Sequence, residues 1–119
     1  RRMDETIRPL AEYYANKKWL TVGDGRYGLD AIRMKKFFQL QHVFPTDIGE
    51  TMLQISKDKG WISEFGVENA EQLSFADNSF EVVFCKEAFH HFPRPYIALY
   101  EMLRVSKKAV VMICLQQIH

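Results

Sequence analysis

Residues 19–28 read Trp19-Leu20-Thr21-Val22-Gly23-Asp24-Gly25-Arg26-Tyr27-Gly28. A short run suited to a buried strand stops at a glycine. Two more glycines complete the spacing G-x-G-x-x-G, and the breaker-free segment Leu29 to Phe38 follows. The pattern predicts strand, tight turn and helix in that order. Each glycine has a use at such a junction. One permits the turn, one lets a ligand approach bare backbone, and one lets the helix pack closely on the strand. His42-Val43-Phe44 then leads into a second strand ending near Asp47, 19 residues beyond Gly28. A carboxylate there can accept hydrogen bonds from ribose hydroxyls. The loop and the acid together indicate a nucleoside-containing ligand, and they leave NAD and S-adenosylmethionine equally open. The plainer alternative is a structural turn beside a solvated Asp47.

The pattern extends in both directions. Met3, Ile7, Leu10 and Tyr14 have helical spacing, but Pro9 interrupts it, so the firm helix is predicted from near Pro9 to about Lys18. Pro45 lacks a ladder donor and suits a strand end or bulge. A helix is predicted from about Glu50 to Lys59 with Gly60 as its stop. Ile62 to Val67 is a further strand candidate, Asp77-Asn78-Ser79 a turn, and Phe80 to Phe84 a strand. Pro93 to Arg104 reads as a helix docking through Ile97, Tyr100 (or Glu101) and Leu103-Arg104. Ala109 to Leu115 reads as the most convincing buried strand. Strands alternating with helices, and apolar throughout, predict an α/β fold with a parallel sheet covered on both faces. With no repeat or linker, residues 1–119 are expected to form a single domain.

Composition narrows the field. Of 119 residues, 47% are hydrophobic and 26% charged, which excludes a disordered or fibrous chain. A formal net charge of +1, and Lys pairs with no aromatic interleaving, point away from nucleic acid. The longest apolar run, Ala109 to Leu115, is far short of the roughly 20 residues that span a membrane. Cys85 and Cys114 sit in apolar runs without zinc spacing, so buried thiols, no metal and a cytoplasmic setting are expected. A chain opening on Arg rather than Met is expected to be trimmed.

Residues 68–95 separate the two cofactors. They run Glu-Asn-Ala-Glu-Gln-Leu-Ser-Phe-Ala-Asp-Asn-Ser-Phe-Glu-Val-Val-Phe-Cys-Lys-Glu-Ala-Phe-His-His-Phe-Pro-Arg-Pro. This resembles the small-molecule branch of the class I S-adenosylmethionine-dependent methyltransferases, whose pattern is D-A-x-x-L-P-F-x-D-x-S-F-D-x-V and then L-H-H. Asp77, Ser79, Phe80, Val83 and His90-His91 match in order. Asp47-Ile48 with Met52-Leu53 looks like the family's D-x-S-x-x-M-L, and Glu101 to Val105 like its E-x-x-R-V helix end. The resemblance covers about residues 19–115.

It implies a Rossmann-like open sheet in the order 3-2-1-4-5, with the family's last two strands lying beyond this chain. It also implies methyl transfer from S-adenosylmethionine to a small-molecule acceptor. By resemblance, the backbone of Gly23 and Gly25 would lie beside methionine and ribose, with Asp24 at the loop apex. Asp47 would take the ribose hydroxyls, Ile48 an adenine face, and Asn69 with Ala70 the adenine edge. Cys85 and Lys86 would lie below the methionine amino group. His90 and His91 are the catalytic candidates, with a polar pair bordering a helix start as the plainer reading. There are departures. Thr21 replaces an acid, Tyr27 replaces a glycine and would crowd the methionine, Asn69 replaces Asp, Ser74 replaces Pro, and Lys107-Lys108-Ala109 replaces a K-P-G-G turn. An inactive cofactor-binding or interaction module is the alternative, ahead of an NAD-dependent oxidoreductase. An open last strand would invite pairing into a homodimer.

Overall fold

The computed structural model describes residues 2–86 and 91–113, with side chains from residue 7. In chain order the elements are α1 (Arg2–Tyr13), β1 (Lys18–Thr21), α2 (Leu29–Phe38), β2 (His42–Asp47), α3 (Thr51–Asp58), β3 (Gly66–Val67), β4 (Phe80–Lys86), α4 (Pro95–Val105) and β5 (Ser106–Ile113). All five strands pair in parallel, in the order β3-β2-β1-β4-β5. The order reverses between β1 and β4, and the loops after those two strands therefore part at one rim.

Alternation along the strands divides the core. Trp19, Val82 and Phe84 point to one face, where Ile7 and Ala11 of α1 and Met34 and Phe38 of α2 cover them. Leu20, Val83 and Cys85 point to the other, under Ala98, Met102 and Val105 of α4. Cys85 is buried, and among the described residues it is in no disulfide; Cys114 lies outside them. No described helix is long and apolar enough to cross a membrane.

Several expectations are corrected. α1 runs through Pro9 and ends at Tyr13 rather than near Lys18. Pro9 lies on the exposed side while Ile7 and Ala11 are buried, so packing outweighs one missing helix bond. The helix stops because the Tyr14 carbonyl is taken by the Lys17 N–H at 3.0 Å and by Trp19 Nε1 at 2.9 Å. Pro45 sits inside β2, buried and in register with Thr21. On the other side of β2 the pairing with β3 begins only at Thr46↔Gly66, so there Pro45 has no ladder partner that would require its N–H.

The predicted strand from Ile62 shrinks to the two residues of β3. α4 docks through Ala98, Met102 and Val105, while Ile97, Tyr100 and Leu103 are exposed. Apolar bulk lies on both sides of this helix, and the small Ala98 is what permits close approach to the sheet. β5 is half-buried over Ala109 to Ile113 rather than fully buried, as suits an edge strand, and its predicted end at Leu115 lies outside the described residues. Gly60, at φ +80°, ends α3 as expected.

Candidate functional site

The loop after β1 is tied to the sheet through its backbone. The Val22 N–H donates to the Phe84 carbonyl, and the Asp24 N–H to the Thr46 carbonyl, both at 2.9 Å. Gly25 then lies against the end of β2. A Cβ built on Gly25 would stand 2.6 Å from Cγ of Asp47, so any larger residue there would have to displace that carboxylate. The Asp47 Oδ2 accepts the Gly49 N–H at 2.8 Å, and its backbone carbonyl accepts the Glu68 N–H at 2.9 Å. The second link leads the chain from β3 directly into Asn69 and Ala70. Positions 23, 25, 47, 48, 69 and 70 thus gather at the carboxyl ends of β1, β2 and β3.

Within this rim the side chains differ in what they offer. Ile48 is 70% exposed, an apolar side chain left open at the edge of the sheet. Asn69 is exposed, but its Oδ1 accepts the Glu71 N–H at 3.0 Å, which leaves the amide group as the available donor. Ala70 is buried beneath it.

Asp24, expected at the loop apex, turns inward and is 2% exposed. Its carboxylate accepts the Thr21 hydroxyl at 2.8 Å and the N–H groups of Asp30 and Ala31 at 3.1 and 2.9 Å, closing the first turn of α2. Burial, reinforced by the Asp30 charge, nonetheless pushes its pKa up to about 7. Thr21, where an acid was expected by resemblance, is the partner that holds Asp24 in this position. The loop residue that remains exposed is Arg26.

Tyr27 does not crowd the loop. Its ring meets Trp61 edge to face, with centroids 6.1 Å apart, and its backbone takes φ 59°. A bulky residue in that left-handed region carries about 1 kcal/mol of strain or more, which the ring contact offsets in part.

Beside the glycine loop, at the point where the strand order reverses, lies a polar cleft of about 270 Å³. Gly23, Asp24, Arg26, Leu29, Asp30, Arg33, Lys86 and His91 line it. Lys86 and His91 therefore reach the same cleft as the loop. Cys85 does not, because it faces the core under α4. His90 lies outside the described residues, as do Glu87, Ala88 and Phe89. Among the described residues no group of His, Cys, Asp and Glu is placed to hold a metal ion.

Sequence reading passed over Arg26 and Arg33, and over the clamp that fixes the Asn69 segment. Arg104 of α4 donates to Leu73 and Phe75 carbonyls, to Asp77 and to Glu101, and Glu101 in turn accepts the Leu73 N–H at 2.9 Å. Arg94 grips Glu71 in the same segment at 2.8 Å. The E-x-x-R spacing of Glu101 and Arg104 was the available signal, since residues three apart on a helix share a face.

A family described as a methyltransferase domain matches residues 20–114. The ubiquinone/menaquinone biosynthesis C-methyltransferase UbiE of Paraburkholderia xenovorans (strain LB400) is 34% identical over 96 residues, covering 77% of this chain and 40% of that protein. The methyltransferase YcgJ of Bacillus subtilis is 31% identical over 105 residues, covering 82% of this chain and 40% of that protein. A crystal structure of YcgJ superposes with a TM-score of 0.71 over 87% of this chain and 45% of that one, at 29% identity. A SAM-dependent methyltransferase from Aquifex aeolicus, at 22% identity and TM-score 0.64, covers 89% of this chain and 64% of that one and shows the fold alone. The chain spans about two-fifths of the length of the curated relatives it matches.

Proposed function

The chain belongs to the class I S-adenosylmethionine-dependent methyltransferase family, and from that premise we propose that its rim binds S-adenosylmethionine and serves methyl transfer to a small-molecule acceptor. The contact of Gly25 with Asp47 carries the reading. It sets bare backbone beside a carboxylate, which is the pairing a ribose bridging loop and strand end requires. The residues at the rim suit the cofactor. Asp47 would accept from the ribose hydroxyls, and Ile48 would lie along an adenine face. The Asn69 amide and the Ala70 N–H would donate to the adenine edge.

Bound S-adenosylmethionine supplies a methyl group already activated on positively charged sulfur. The chain's own part is to orient the acceptor and exclude water. His91, exposed at the cleft, would be the residue to take a proton from an acceptor hydroxyl or amine. A cytoplasmic setting suits the buried Cys85.

Calorimetry with S-adenosylmethionine, S-adenosylhomocysteine and NAD tests the proposal. The first two should bind and NAD should not. Asp47→Ala should weaken S-adenosylhomocysteine by about 1.5–3 kcal/mol, roughly ten- to a hundred-fold. Binding of NAD alone would overturn the cofactor assignment. Unchanged affinity in the variant would misplace the ribose site, and binding of none would favour a module without activity.

A further inference from the structure

The cleft at the reversal of strand order is lined, among the described residues, by two arginines that no described carboxylate pairs. Arg26 stands on the exposed part of the glycine loop, Arg33 lies one helical turn beyond Leu29 on α2, and Lys86 ends β4. Three cations thus surround a space of about 270 Å³. Among the described residues two carboxylates line the same space, Asp24 and Asp30, and Asp24 is engaged by Thr21 and the first turn of α2. Among the described residues no carboxylate forms an ion pair with Arg26 or Arg33, whereas Arg94 and Arg104 are both paired.

Asp47, Ile48, Asn69 and Ala70, which would hold the nucleoside, do not line this cleft. It is lined from the β4 side of β1, whereas Asp47 ends β2 on the other side. An amino-acid end reaching it would bring an ammonium together with its carboxylate, and one cation would balance that carboxylate.

We propose that the cleft, through Arg26 and Arg33, binds an oxyanion group (carboxylate or phosphate) carried by the methyl acceptor. The inference rests on the methyltransferase reading and adds the acceptor's chemical class to it. Guanidinium groups suit this role because their planar donor pairs match both oxyanions, and they stay charged at any working pH.

The test uses inorganic phosphate and malonate as probes, titrated calorimetrically into protein saturated with S-adenosylhomocysteine. At least one anion should bind to that complex. Arg26→Gln combined with Arg33→Gln should weaken it by about tenfold or more while changing S-adenosylhomocysteine affinity by less than about twofold. Both arginines are exposed, so the double variant should keep its fold, which circular dichroism checks.

Failure of both anions to bind the saturated complex, or their competition with S-adenosylhomocysteine, overturns the proposal. So does an equal loss of S-adenosylhomocysteine affinity in the double variant, which would assign the arginines to the cofactor's own carboxylate. If S-adenosylhomocysteine does not bind at all, the cofactor reading fails separately. Anion titration of the unliganded protein and the double variant then decides the role of the arginines.

Discussion

Asp24 accepts three hydrogen bonds, each favouring its charged form, yet burial and the neighbouring Asp30 raise its pKa from 3.8 to about 7. The folded state therefore holds this proton more tightly than the unfolded chain does. Stability from this residue is fully present below 3.8 and falls as the pH rises through about 7. The loss across that window is on the order of 4 kcal/mol. Asp24→Asn should remove it. Urea midpoints for the variant and the parent should draw together or cross in the variant's favour as pH rises from acid to neutral, and parallel curves would refute the account. Sequence alone could not reveal this role. A helix cap is ordinarily sought within a few residues of the first turn, whereas Asp24 reaches forward over the whole glycine loop to Asp30 and Ala31. The position of Asp47 beside the loop, by contrast, was legible, because its spacing from the loop follows from the length of one helix and one strand.

At the scale of elements, α4 has two tasks. Ala98, Met102 and Val105 pack on the sheet, while Glu101 and Arg104 hold the segment from Leu73 to Asp77. Hydrogen bonds from Arg104 keep the Glu101 carboxyl below its ordinary 4.5, so this clamp is intact above that pH and lost on acidification. Arg104→Met should lower the melting temperature by several degrees and speed proteolysis within residues 68–79. It should also weaken S-adenosylhomocysteine a few-fold through the displaced Asn69. Unchanged proteolysis would show that Arg94 and Glu71 suffice to hold the segment. The order of elements was readable because every helix from α2 onward lies near a glycine or proline that marks one of its ends, as at Gly28, Gly60 and Pro95. The misread details were those that packing decides. Pro9 remains helical because Ile7 and Ala11 are buried, and the docking side of α4 follows from the size of Ala98 rather than from its more numerous bulky neighbours.

At the scale of the whole molecule, the sheet order leaves β5 at one border and the very short β3 at the other. The outer side of β5 offers backbone donors and acceptors with no described partner, and this chain is expected to self-associate there. Light scattering coupled to size exclusion should report a dimer or larger species; a clean monomer across the concentration range would contradict it. The opposite border works differently. Two residues of β3, together with Arg94 and Arg104 at the two ends of one helix and Glu101 between them, hold the segment that would face the base. A bound nucleoside would bridge this segment and the strand ends where β3 pairs over only two residues, and amide protons of residues 68–76 should slow their exchange with solvent on ligand addition well before those of β1 or β4 respond.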